Sequence, residues 1–245
     1  MVRVVLGGDD LEGFGVEMPT QHIKMAFPLP GELEPRIPQP GPDGSPPPPD
    51  QPRPLVRTYT PRYYDPETRE LTVDFVIHGE GPASEWAERA RPGDRVAVAG
   101  PGGRFQLGLD TAHYVVAGDE SALPAIGTLL DALPASAEAD VLVEVIDEGD
   151  HLDLAPSGLL ASAQVTWLHR GQRDPAGRLL EQALRAADLD REDRVWVACE
   201  AVVVRDIRRH LLEERAFDRG AILTRGYWRQ GEANHPDHDY GDDAA

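Results

Sequence analysis

Arg57-Thr58-Tyr59-Thr60 decides how this chain is read, together with His78-Gly79-Glu80-Gly81-Pro82-Ala83-Ser84-Glu85-Trp86, which follows at the distance of a barrel hairpin. On a strand, alternation sends Arg57 and Tyr59 to one face, with Thr60 beside them at the strand end. A ring that stacks, a cation that pairs with phosphate and a hydroxyl that bonds a ring nitrogen suit a flat, anionic cofactor. The second stretch is rich in Gly and Pro and runs into a short helical pattern from Ala83 to Ala90. Backbone amides at a helix start point at anions, and a pyrophosphate fits there. The pair of stretches suggests a flavin dinucleotide laid across a small β barrel. A polar barrel strand with an exposed Arg explains the first stretch taken by itself.

At 245 residues the chain has room for two domains of ordinary size, and an apolar share of 40% is enough to fill their cores. The net charge of -19 would be repelled by nucleic acid and by an acidic membrane surface. Acidity of this kind otherwise serves solubility. The one cysteine, Cys199, excludes an internal disulfide. No apolar run approaches a membrane span, so a soluble cytoplasmic protein is expected.

Strands are expected at Val2–Leu6, His22–Phe27, Leu55–Arg62, Leu71–His78 and Arg95–Ala99. Leu71, Val73, Phe75 and Ile77 alternate cleanly. Residues 28–54, with Pro46-Pro47-Pro48-Pro49, form a long, partly extended loop. From Tyr114 the rhythm changes. Strands at Tyr114–Ala117, Val141–Ile146, Val165–Leu168, Val195–Ala198 and Ala221–Leu223 alternate with helices at Leu123–Leu133, Ala176–Ala187 and Val202–Arg215. Such alternation means a parallel sheet with covering helices. The expectation is therefore an N-terminal antiparallel Greek-key β barrel over 1–110 and a C-terminal α/β domain with a parallel sheet over 111–231. Residues 232–245 follow as a disordered acidic tail. One domain would hold flavin, and the other would present nicotinamide at the carboxyl ends of its strands.

These residues resemble the siderophore-interacting proteins, a branch of the ferredoxin-reductase-like flavoproteins, over nearly the whole chain. The likeness rests on Arg57–Thr60, on His78, Gly79, Gly81–Ser84, Trp86 and Ala87, and on Pro92-Gly93-Asp94 with Gly100–Gly103. In the second domain it rests on Gly118-Asp119-Glu120-Ser121-Ala122-Leu123-Pro124-Ala125 and on Gly226-Tyr227-Trp228-Arg229. The resemblance implies that Tyr59 stacks on the flavin ring, that Thr60 faces its reactive edge and that Arg57 pairs with phosphate. It implies that His78, Gly79, Pro82 and the amides of Ala83 and Ser84 hold the ribityl and pyrophosphate. The chain departs from the family in three places. The family sets a barrel strand ahead of the element that begins here at Val2. The third position of Gly-Pro-x-Gly, often cationic in the family, is Gly102, leaving Arg104 to supply the charge. Ala198-Cys199-Glu200 stands where Ala-Gly-Glu is expected.

Other residues carry two readings each. Gly118, Asp119, Glu120 and Ser121 form an ordinary strand-to-helix turn capped by Ser121, or a cofactor contact. The acidic pair would repel phosphate and suits the nicotinamide end. His169 and Arg170 suit the extra phosphate of NADPH or a solvated strand end. Glu200 joins them as a cofactor contact. Trp228 either covers the open flavin face or packs the last strand, and the resemblance favours the first. Cys199 reads as a small core residue, and Arg205, Arg208, Arg209 and His210 as a solvated helix face. His235, Asp237, His238 and Asp239 lack the rigid scaffold of a metal site. Lys24, the only lysine, together with Arg104 and Arg225, would attract an anionic ferric siderophore, because screening confines each field to about 8–10 Å.

The resemblance implies an FAD-dependent reductase of ferric siderophores that draws electrons from NAD(P)H, or from a reduced ferredoxin. Outer-sphere electron transfer needs no acid–base residue, so none is assigned a catalytic role. Two other readings are a reductase for flavin, a quinone or a protein acceptor, and a siderophore-binding protein without catalysis.

Overall fold

The computed structural model describes residues 1–40, 43, 45–47, 51, 53–77, 81–103, 105, 107–108, 111–154, 162–172, 175–235 and 238–239. The chain forms two compact units. The first comprises Met1–Glu17 with Gln21–Gly103, and the second Met18–Thr20 with Arg104–Ala245.

In the first unit β1 (Val2–Gly7), β5 (Glu70–Phe75) and β4 (Pro61–Asp65) form one antiparallel sheet, in the order β1-β5-β4. A second antiparallel sheet has the order β3-β2-β6, from β3 (Leu55–Tyr59), β2 (His22–Phe27) and β6 (Ala97–Gly102). The two sheets share one core, with Ile23, Met25 and Phe27 from β2 packed with Leu71, Val73 and Phe75 from β5. Their strict alternation is the reason each strand has one dry face. Helix α1 (Pro82–Arg89) adds buried Ala83 and Ala87.

The single strand expected over Leu55–Arg62 is two strands. It breaks at Thr60, which is buried. Pro61 has no N–H for a ladder and restricts the residue before it, so the chain turns there and crosses from one sheet to the other. The strand expected to run to His78 stops at Phe75. His78 itself lies outside the described residues.

The second unit is a six-stranded sheet in the order β12-β11-β10-β7-β8-β9. Its strands are β7 (His113–Asp119), β8 (Glu138–Val145), β9 (Ser162–His169), β10 (Arg194–Glu200), β11 (Ile222–Trp228) and β12 (His238–Asp239). All pair in parallel except β12. Tyr114 and Val116 face helix α2 (Leu123–Ala132), where Leu123, Ile126, Leu129 and Leu130 are buried. Val115 and Ala117 face the other way, against Leu180 and Leu184 of α3 (Arg178–Ala186) and Val204 and Ile207 of α4 (Ala201–Arg209). A sheet covered on both faces needs strands apolar at every position, and the run Val141–Val145 has that character except at Glu144.

The last helix departs from its expected solvated face. Arg208 and His210 are buried. Arg208 donates to Thr224 Oγ1 at 3.2 Å, and His210 Nδ1 lies 2.8 Å from Glu214 Oε2 in the π turn that ends the helix. The tail also differs where it is described. Glu232 bridges to Arg229, and β12 lies antiparallel to β11 with Asp239 opposite Arg225. An edge strand presents unpaired backbone groups, and β12 takes up some of those of β11.

Candidate functional site

Register places the first group of expected residues. Tyr59 is opposite Ile23 and Arg57 opposite Met25. Facing residues of an antiparallel pair share a side, so Arg57 and Tyr59 lie on the core face. The Tyr59 ring sits 4.4 Å from Phe75 and 6.2 Å from Phe27, centroid to centroid, in an aromatic cluster completed by Trp86. Burial pushes the Tyr59 phenol up to about 12, against a smaller opposing pull from Arg57, so the hydroxyl keeps its proton. Arg57 is half-buried and donates to the Val56 carbonyl at 2.8 Å. Among the described residues no carboxylate pairs with it. Thr60 stands at the corner between the sheets.

Gly81, at φ 152°, leads into α1, whose first turn holds Pro82, Ala83 and Ser84. Ser84 Oγ donates to the Val76 carbonyl at 3.2 Å, so its hydroxyl is engaged, and the amides of the first turn are the donors that have no intrahelical acceptor. His78 and Gly79 lie outside the described residues.

Lys24 is not with Arg57 and Tyr59. It faces the other way on β2, opposite Thr58, and its Nζ donates to Thr58 Oγ1. Arg104 lies outside the described residues. The missing cation at Gly102 has a steric counterpart. A Cβ there would lie 3.2 Å from His22 Nε2, and one on Gly103 would lie 3.2 Å from His22 Nδ1. The His22 imidazole occupies the space a longer side chain at 102 would need.

In the second unit the strand order reverses between β7 and β10, the place where open α/β sheets bind ligands. Three expected residues end strands there. Asp119 closes β7, Glu200 closes β10 and Trp228 closes β11. Asp119 Oδ1 accepts from the Ser121 amide at 2.9 Å and the Ser121 hydroxyl at 2.5 Å, and Oδ2 accepts from Trp228 Nε1 at 2.7 Å. Burial raises the Asp119 carboxyl to about 6. The charge of Glu120 adds to the rise, and the bonds from Ser121 and Trp228 oppose it. Glu200 caps α4. Its Oε2 accepts from the amides of Val202 and Val203 at 2.7 and 3.1 Å, and its Oε1 from the Gln230 amide at 3.3 Å. Arg225 lies beside Ala198 on the neighbouring strand.

Gly118 serves packing. A Cβ there would meet Ala122 Cβ at 2.6 Å and the Ala198 carbonyl at 2.9 Å, neither of which can swing aside. We expect Gly118→Ala to destabilise the protein by about 1–3 kcal/mol, read by urea denaturation.

His169 and Arg170 are not brought together as a phosphate grip. Arg170 Nη2 bonds Glu120, and its Nη1 lies 3.8 Å from Glu144. His169 Nε2 instead lies 2.7 Å from His151 Nε2. The two rings are 5.0 Å apart between centroids, with planes 20° apart, so they meet edge to edge through one shared proton. Glu144 was not anticipated. Its signal was a carboxylate inside an otherwise apolar strand, since a buried charge must be paired. Cys199 is fully buried, and burial holds its thiol well above the usual range. A cleft of about 340 Å³ lies at the opposite end of the sheet, where His113 contacts Asp193 at 3.0 Å and Asp140 at 3.4 Å. None of the expected residues lines it. Among the described residues no helix is long and apolar enough to cross a membrane.

Residues 1–105 match the family model of the siderophore-interacting FAD-binding domain, and residues 111–231 that of the siderophore-interacting protein. The structure is similar to that of a siderophore utilization protein from T. fusca, with a TM-score of 0.83 and 38% identity, covering 96% of this chain and 89% of that one. In sequence it is 33% identical to the NADPH-dependent ferric-chelate reductase of Escherichia coli, over 92% of this chain and 86% of that protein. It is 31% identical to the ferric vibriobactin reductase ViuB of Vibrio cholerae, over 98% and 88%.

Proposed function

The chain belongs to the siderophore-interacting protein family, and we propose that it is an FAD-dependent reductase of ferric siderophores that draws its electrons from NAD(P)H. One observation of this chain carries the flavin site. A half-buried guanidinium, Arg57, lies on the same strand face as Tyr59 with no carboxylate partner among the described residues, in a chain of net charge -19. An unpaired, partly buried cation calls for an anion. In this reading Arg57 binds phosphate, the amides of Ala83 and Ser84 complete the anion cradle, and Tyr59 and Thr60 orient the ring. His78 and Gly79 would complete the ribityl contacts.

Bound FAD supplies the conversion of a two-electron hydride from nicotinamide into single electrons for chelated iron(III). The residues of the chain bind and orient; none needs to move a proton to the iron. The product iron(II) binds hard oxygen ligands less tightly than iron(III) and is released. Lys24 in the first unit, and separately Arg104 and Arg225 in the second, would each attract an anionic chelate over short range. A nicotinamide donor suits work in the cytoplasm, and reduced ferredoxin is the donor to try beside it.

The test is the visible spectrum of the purified protein under anaerobic conditions. Flavin bands should bleach with NADPH and recover with a ferric siderophore as trapped iron(II) appears. A colourless protein that cannot be loaded with FAD would overturn the reading. Arg57→Ala should weaken FAD binding by about tenfold to a hundredfold, the range for one charge-assisted phosphate bond, as measured by flavin titration.

A further inference from the structure

We propose that Asp119 latches Trp228 at the carboxyl end of the parallel sheet and exchanges the indole N–H for the carboxamide N–H of nicotinamide. The inference rests on the nicotinamide site of the proposed function and names the group that reads it.

Asp119 has a fixed half and an exchangeable half. Oδ1 is held by its own turn, through the amide and hydroxyl of Ser121. Oδ2 is held by Trp228 Nε1, from a residue 109 positions away. Asp119 is 1% exposed, whereas Trp228 is half-buried. The backbone beyond Trp228 is anchored separately, by Glu200 Oε1 on the Gln230 amide. The indole can therefore turn about its side-chain bonds while the strand stays in place. Among the described residues, the side-chain hydrogen bond that holds it is the charge-assisted one to Asp119.

Releasing the indole leaves Oδ2 without a donor. A buried carboxylate stripped of a donor is unfavourable, so opening is tied to the arrival of another N–H. The arriving group must also be uncharged or cationic. Glu120 is neutralised by Arg170, whose charge also reaches Asp119, but among the described residues no ion pair forms on Asp119. A phosphate is thus repelled and a primary amide fits. Of the parts of a nicotinamide dinucleotide, the carboxamide offers that N–H at the end of the molecule that must reach the flavin. The adenine amine is the other candidate donor, and the test separates them.

The FAD-loaded protein is titrated with NADP⁺, with its 3-acetylpyridine analogue, which has a methyl in place of the amide nitrogen, and with 2′,5′-ADP. Binding is read by calorimetry and by tryptophan emission. The wild type should prefer NADP⁺ over the analogue by about tenfold, the scale of one charge-assisted bond. Asp119→Asn should reduce that preference to within about twofold, because its single acceptor oxygen cannot serve both Ser121 and the ligand. Trp228→Phe, with no indole N–H to displace, should bind NADP⁺ more tightly and keep the preference. A merely structural Asp119 would weaken all the probes alike. Equal wild-type affinity for NADP⁺ and the analogue would overturn the proposal while leaving the donor reading intact. So would an Asp119→Asn effect confined to 2′,5′-ADP. Failure of the yellow protein to bind any of the three would overturn the donor reading and the proposal with it.

Discussion

Glu144→Ala is expected to destabilise the protein by roughly 3–5 kcal/mol, the range for removing one member of a buried charge network. Glu144 sits near the end of β8 and has no exposed surface. Its two oxygens accept from the amides of Gly177 and Leu180, at 2.5 and 2.8 Å, and so close the start of α3. Gly177 has no room for a side chain that could do this locally, since a Cβ there would meet Val203 Cγ2 at 2.5 Å. The cap has to come from the sheet. The same carboxylate lies 3.8 Å from the buried Nη1 of Arg170, whose Nη2 is held by Glu120. Alanine would orphan two amides and leave Arg170 with one carboxylate. Glu144→Gln keeps one acceptor and should lose about half as much. Urea denaturation followed by circular dichroism at pH 7.5 measures both. A loss under about 1 kcal/mol for the alanine variant would mean that water or another side chain replaces the carboxylate, against the burial described.

This network also marks where sequence reasoning stops. The strands were legible because their periodicity is their packing. Leu71, Val73 and Phe75 alternate and are all buried, and Tyr114–Ala117 is apolar throughout because both of its faces are covered. The break at Thr60 was signalled by Pro61, but strand-favouring residues on both sides of it, Thr58 and Tyr59 before and Tyr63 and Tyr64 after, masked the corner. At the ends of β7, β10 and β11 the residue types stand out in the sequence, but their partners do not. Asp119, Glu200 and Trp228 were each picked out, yet their bonds join the ends of three strands distant in sequence. Those bonds depend on the register of β7, β10 and β11, which one sequence does not display. For Arg170 the same limit hid two partners. Its position beside His169 pointed to a phosphate, whereas sheet geometry turns it to Glu120 and Glu144. Glu200 acts as an N-cap, with its carboxylate on the amides of Val202 and Val203, a role that its place just ahead of the helix permits and the sequence reading did not assign.

Asp119→Asn is expected to gain on the wild type in stability by roughly 2 kcal/mol as pH rises from about 4.5 to 7.5. The folded protein holds the Asp119 carboxyl at about 6, chiefly because burial disfavours its charge, against an ordinary value of 3.8. Between those two values the folded state binds the proton more tightly than the unfolded chain does. The stability contributed by that proton is fully present below the unfolded pKa and is lost as pH rises through the folded one. Asparagine does not titrate, so the difference between the two proteins isolates this one group from the other carboxylates, which titrate in both. Asparagine also forfeits an acceptor for Ser121 or Trp228, an offset of about 1 kcal/mol that shifts the two curves without tilting them. The measurement is a pair of urea titrations at each pH, and the quantity that decides is the slope of the difference. A flat difference would mean that Asp119 ionises as it does in water. A difference that falls with rising pH would mean that the bonds from Trp228 and Ser121 outweigh burial, and that the indole is held by a carboxylate charged throughout the range.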